Sequence, residues 1–162
     1  MQCAPIQAQG LSKRPDLITG GSDLRSFAIV FVLLSLLGSA ASAQKAEDHI
    51  AMCLSDDLCE SMQKQFKREY PKAYRGDYGS QRNVSFCLAD GCRGAVQQNR
   101  PLGCAWRLVI IASGSSRVDS TDTDFFEAYC AKRLSPIERV QMRSQAEVLF
   151  RQIYKRSLPS GL

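Results

Sequence analysis

The chain reads as an all-α domain of antiparallel helical hairpins stapled by disulfides, and three observations predict it. Apolar residues recur at helical spacing along most of the sequence from Lys45 onward. Short clusters of Gly, Pro, Ser and Asp separate those stretches, and short connections favour antiparallel neighbours. Of seven cysteines, all but Cys3 lie in that part of the chain: Cys53, Cys59, Cys87, Cys92, Cys104 and Cys130.

Residues 1–43 are expected to be a signal peptide. Ser26 to Leu37 (SFAIVFVLLSLL) is apolar and uncharged, Arg25 precedes it, and Gly38-Ser39-Ala40-Ala41-Ser42-Ala43 supplies an A-x-A site for cleavage after Ala43. The run falls short of the roughly 20 apolar residues a membrane span needs. The region before it is long and carries Asp16 and Asp23 beside Lys13 and Arg14. Gln44 follows the cut where a lipid-bearing cysteine would stand, so no stable membrane anchor is expected after cleavage. Cleavage also removes Cys3, and the even set left behind suits disulfides in an oxidising compartment, periplasmic or secreted. Zinc is the competing use of cysteine. Cys53-x5-Cys59 is a poor ligand pair, however, and His49 is the one histidine, so neither metal nor cofactor is expected. The net charge of +5 at pH 7 is mild, and basic residues alternate with acidic ones, which argues against a nucleic-acid or polybasic membrane surface.

A single helical domain is expected over 44–156. Lys45 to Cys53 is predicted as a short helical piece. Ser55-Asp56-Asp57 then offers an N-cap for a second piece, with Leu58, Met62 and Phe66 as its apolar stripe and an end before Pro71. Its other face, with Lys64, Lys67, Arg68 and Glu69, reads as solvated. The next helix runs from Tyr78 to Ala89, with Ser80, Val84, Cys87 and Leu88 on one face. Asp90-Gly91-Cys92-Arg93-Gly94 is turn chemistry, with two glycines free to take positive φ. Pro101 suits the first turn of a helix reaching about Ser113. Leu102, Ala105, Trp106, Leu108, Val109, Ile110 and Ile111 cover most of that helix's circumference, so it is the candidate centre of the domain. A strand over Leu108–Ala112 is the alternative its branched residues allow.

Gly114 to Thr123 reads as a polar loop. Helix from about Asp124 to Arg133 places Phe125, Phe126, Tyr129 and Cys130 near the core. The last helix starts with a capping box, Ser135 with Glu138, and Pro136 at the first helical position. Met142, Ala146, Leu149 and Ile153 form its stripe. Ile137, Val140 and Val148 lie off the stripe and suggest contact with a second neighbour. Residues 157–162 are expected to be a flexible tail.

Catalytic patterns are sparse. His49 stands beside Glu47 and Asp48 with no marked nucleophile, so an exposed or capping histidine is expected. Ser113-Gly114-Ser115-Ser116 is not a nucleophile elbow. Asp119, Asp122 and Asp124 resemble a calcium loop but lack its glycine and closing glutamate, so helix capping by Asp122 or Asp124 is expected. Trp106 and the Phe125/Phe126 pair could line a pocket, and core packing is the expectation at that spacing. No C-x-x-C redox motif is present.

Residues 73–114 carry a further pattern. Ala73 leads into Gly76-Asp77 and Ser80-Gln81, with Val84-Ser85 next; Gly91 and Gly94-Ala95-Val96 follow, then Asn99, Gly103, Trp106 and a closing Gly114. This resembles a single degenerate sel-1-like repeat, the tetratricopeptide-like helical hairpin. Ile110-Ile111 stands where the family has Ala-Ala, and Cys92 is an insertion in the turn. The Leu134 to Arg139 segment is similar to the helix that often closes such arrays. The resemblance implies small residues at Ser80, Ser85 and Gly103 where two helices approach, Trp106 between hairpins, and flanking helices as caps. Six cysteines allow about 15 connectivities. The preferred set is Cys53–Cys59 and Cys87–Cys92 as local staples and Cys104–Cys130 between the central helix and the next. The resulting functional expectation is an exported, non-enzymatic module that binds a protein partner. A small cysteine-rich periplasmic hydrolase and a secreted enzyme inhibitor are the alternatives.

Overall fold

The computed structural model describes residues 45–54 and 57–161. The expected signal peptide, Cys3, and the cap residues Ser55 and Asp56 lie outside them. One 3₁₀ turn, Ala46–His49, precedes five α-helices: α1 (Asp57–Tyr74), α2 (Tyr78–Asp90), α3 (Arg100–Ala112), α4 (Ser120–Phe125), which continues as a π turn over Phe126–Ala131, and α5 (Pro136–Tyr154). The described residues form no strand, and Leu108–Ala112 is helical. Ile50 makes an isolated antiparallel bridge to Val96.

That bridge explains why the first helical piece is shorter than its sequence predicts. Gln97 N–H donates to the His49 carbonyl at 2.8 Å and Ala51 N–H to the Ala95 carbonyl at 3.1 Å, so the chain leaves the helical path after His49. Helix α1, in turn, continues past its expected end, with Pro71 inside its last turn. Pro71 is exposed and forfeits one hydrogen bond, whereas Tyr70 and Ala73 beside it are buried, and their burial outweighs that loss. The buried stripe is also shifted: Cys59, Phe66, Tyr70 and Ala73 face inward while Leu58 is exposed. Glu69 is not on a solvated face, since its carboxylate accepts a hydrogen bond from Ser80 Oγ across the α1–α2 interface.

Helices α2 and α3 form the antiparallel pair that positions everything else. Asp77 caps α2 by accepting from Ser80 N–H at 2.8 Å, and Asn99 caps α3 by accepting from Leu102 N–H at 3.1 Å. Asn99 N–H reaches the Leu88 carbonyl, and Ser85 Oγ donates to the Gly103 carbonyl at 2.8 Å, contacts that run in opposite senses along the two helices. The approach is close enough to exclude a side chain at Gly103, where a Cβ would lie 2.7 Å from Ala89 N and 2.8 Å from the Ser85 carbonyl oxygen. The turn between them takes positive φ at Gly91 and Gly94 and also at Cys92 and Arg93.

Helix α3 is buried on nearly every side, and Trp106 meets Tyr74 edge-on at 5.0 Å. Helix α4 begins four residues before its expected start. Its cap is Asp119, which accepts from Thr121 N–H at 2.9 Å, and Asp122 closes the box back to Asp119 N–H. Cys130 is fully buried, Phe125 and Phe126 partly so, and Tyr129 is 45% exposed, outside the core. The box at Ser135 and Glu138 forms as expected. Helix α5 packs mainly on α3 through Met142, Ala146, Leu149 and Phe150. Ile137, Val140 and Val148 are exposed, because no second neighbour covers the outer side of α5 among the described residues. Leu158, in the expected tail, rests on the core.

The cysteines pair as Cys53–Cys59, Cys87–Cys92 and Cys104–Cys130, the set preferred from the sequence. Three disulfides in one small domain point to an oxidising extracellular environment. No helix among the described residues is long and apolar enough to cross a membrane.

Gly103→Ala should cost about 3 kcal/mol, since the added methyl meets backbone atoms that cannot swing away. Gly94→Ala, at φ +82° with open space around it, should cost only about 1 kcal/mol. Denaturant midpoints of the two variants test the difference.

Candidate functional site

Three features could carry function: a buried histidine, a buried charge cluster and an apolar groove. The histidine is not on the surface. His49 is 6% exposed, tucked under the N-terminal turn against Phe66 and Tyr70, with Nε2 3.0 Å from Tyr70 Oη. Burial lowers its pKa, opposed by the Asp48 carboxylate, so the ring is neutral near pH 7. Burial likewise pushes the Tyr70 hydroxyl far above its ordinary value. A neutral imidazole against a phenol that holds its proton ties residues 45–51 to α1. The expected exposed or capping role is replaced by a packing role, brought about by the distant bridge between Ile50 and Val96.

The charge cluster was not predicted. Arg107, on the central helix, is 3% exposed, and Asp122 is fully buried. Asp122 Oδ1 accepts from Arg107 and lies 3.3 Å from Arg82 Nε, while Oδ2 accepts from Tyr78 Oη at 2.7 Å and from Asp119 N–H. The Arg107 guanidinium lies over the Phe125 ring, 4.2 Å from its centroid. Burial by itself would raise the Asp122 pKa, but the hydrogen bonds from Tyr78 and Asp119 and the Arg107 charge together hold it below the usual value. With its lone pairs engaged, Asp122 is an anchor of α4 onto α2 and α3 and is not free to bind calcium.

The groove runs between α1 and α2. Met62, Phe66, Val84, Phe86 and Cys87 line a hollow of ≈ 180 Å³ together with the polar Gln65, Glu69 and Asn83. Phe86 is 47% exposed and forms its accessible wall. A larger, more open hollow of ≈ 550 Å³ on the other side of α1 is lined by Lys45, Glu47, Lys67, Tyr70 and Tyr74.

The repeat-signature residues distribute as follows. Ala73, Ser80, Gln81, Val84 and Trp106 are buried; Gly76, Gly91, Gly94 and Gly114 take positive φ; Asp77 is a cap; Gly103 is the contact point. Gln81 Nε2 donates to the Ala73 carbonyl at 3.2 Å. These residues build a hairpin and converge on no reactive centre. Among the described residues no group of three His, Cys, Asp or Glu side chains gathers to hold a metal. Comparison with protein-family models, curated proteins and solved structures finds no match.

Asp122→Ala leaves Arg107 buried without its counter-charge and should cost about 3–5 kcal/mol in a denaturant titration. Acid sensitivity should come in two stages. His49 has a depressed folded pKa, so its contribution is complete above the unfolded value of about 6.5 and is lost as pH falls through the folded value. Asp122 follows the same sign from about 3.8 downward, and Glu69, Asp77 and Glu138, whose carboxyls are also held below their usual values, add to that second stage. Thermal scans from pH 7 to pH 3 should show both losses, and His49→Gln should flatten the first while leaving the second.

Proposed function

We propose that this chain is an exported, non-enzymatic module that binds a protein partner, built on one sel-1-like hairpin over residues 73–114 and capped by its flanking helices. The repeat reading is supported by where its signature falls: Gly103 sits where the helices touch, and Trp106 fills the space between α3 and the end of α1. Export is supported by the three disulfides. Binding rests on one observation, the apolar groove between α1 and α2 with a half-exposed phenylalanine at its lip. The hydrolase alternative draws no support from His49, which is sealed against Tyr70.

A photo-crosslinker at Phe86 tests this reading in exported material. One discrete adduct is expected, competed away by excess unmodified protein. Phe86→Asp should weaken capture of the partner by about tenfold or more, equivalent to about 1.4 kcal/mol, measured at a temperature where circular dichroism shows the variant folded. Adducts that fail to saturate, or affinity unchanged in the variant, would overturn the groove as the binding site.

A further inference from the structure

The outer side of α5 carries an apolar stripe that the fold leaves uncovered. Ile137 is 73% exposed, Val140 71% and Val148 50%. With exposed Ser144 they stand at spacings of 3, 4 and 4, so all four share one face of the helix. Single exposed hydrophobics are ordinary on protein surfaces. Three aligned along one helix make a surface on which another helix can lie. At the middle of the stripe a hollow opens among Val140, Arg143, Ser144 and Glu147, where the small serine lowers the surface. Arg139, Arg143 and Glu147 flank the stripe on one side, and Gln141 and Gln145 on the other.

The geometry points to a second copy of this chain as the occupant, its α5 antiparallel to the first about a two-fold axis at Ser144. The stripe is its own complement under that rotation. Val140 falls opposite Val148 of the second copy, Ser144 opposite Ser144, and Ile137 opposite the aliphatic stem of Arg151. The charges agree with this arrangement. In an antiparallel pair each flank faces the same flank of the other helix, so Glu147 of each copy comes between the levels of Arg139 and Arg143 of the other. Arg143 and Glu147 already pair within the helix at 3.5 Å, and an exposed pair of that kind is weak enough to reorganise. Parallel helices would set the same flank against Gln141 and Gln145 and gain no ion pair. An anionic bilayer suits the face less well, since the stripe holds no aromatic or leucine to insert and Glu147 stands beside it. A helix of 19 residues spans about 28 Å, so the interface is small and the dimer reversible. This inference goes beyond the groove reading, whose residues lie off α5.

Sedimentation velocity on the disulfide-intact protein, from about 5 to about 500 µM, should show a monomer–dimer equilibrium with Kd on the order of 50 µM. Val140→Glu with Val148→Glu should raise that Kd about tenfold or more, measured where circular dichroism shows the variant folded. Exchange of charges tests the orientation. Glu147→Arg alone, and Arg139→Glu with Arg143→Glu, each give the flank a single sign and should stay monomeric, whereas the two mixed in equal amounts should form a heterodimer. No dimer at about 500 µM, well above the expected Kd, a dimer as tight in the valine variant, or no pairing on mixing would each overturn the inference. Binding to phosphatidylserine vesicles without self-association would overturn it too and assign the stripe to a membrane surface. Phe86→Asp should leave the dimer intact, so the groove and the stripe fail independently.

Discussion

Helix α3 buries ten of its thirteen residues, and a helix with almost no face for water can exist only inside a ring of other elements. The rest of the fold supplies that ring. Helix α2 closes on it through Ser85 and Gly103, α5 lies along another side, Tyr70 and Tyr74 of α1 meet Trp106, and the π turn after α4 is tied to it by Cys104–Cys130. The constraint also reaches the charges. Arg107 is inside because its helix is inside, and a buried guanidinium must be paired. Asp122 is therefore drawn into the core, with Tyr78 and Arg82 completing its shell. An ion pair of this kind need not add net stability compared with an apolar pair. What it does is fix where α4 docks, because a shifted α4 would leave two opposite charges buried and apart.

Local rules were the legible part of the sequence. The box at Ser135 and Glu138, Pro101 in the first turn of α3, the glycine turn after α2 and the near-complete burial of α3 follow from residues within a few positions of one another. Misjudged features share a dependence on distant residues. Asp122 sits in a run of cap-forming residues, and nothing local shows that an arginine fifteen positions earlier is turned inward. His49, flanked by acids, reads as surface until Ile50 finds Val96 and folds the turn over Tyr70. Pro71 reads as a helix end, yet the pull of Tyr70 and Ala73 into the core carries α1 past it. Along α5, periodicity marks Ile137, Val140 and Val148 as a second apolar face, but periodicity alone does not reveal whether a neighbour is there to cover it.

The three disulfides divide between two tasks. In the chain-entropy view a crosslink stabilises according to the loop it closes, and Cys104–Cys130 spans 26 positions against 5 for Cys87–Cys92 and 6 for Cys53–Cys59. That difference gives the long crosslink about 1.5 kcal/mol more than either short one. It is also the fully buried pair and joins the central helix to the last turn before α5. The short crosslinks therefore matter more for shape than for stability. Cys87–Cys92 closes the turn in which Cys92 and Arg93 hold positive φ, and both of its cysteines line the groove between α1 and α2. Cys53–Cys59 braces the segment that carries Met52 and Leu54. Oxidation thus secures the core once and orders two surface segments separately, so reducing a local disulfide should loosen a surface before it loosens the fold.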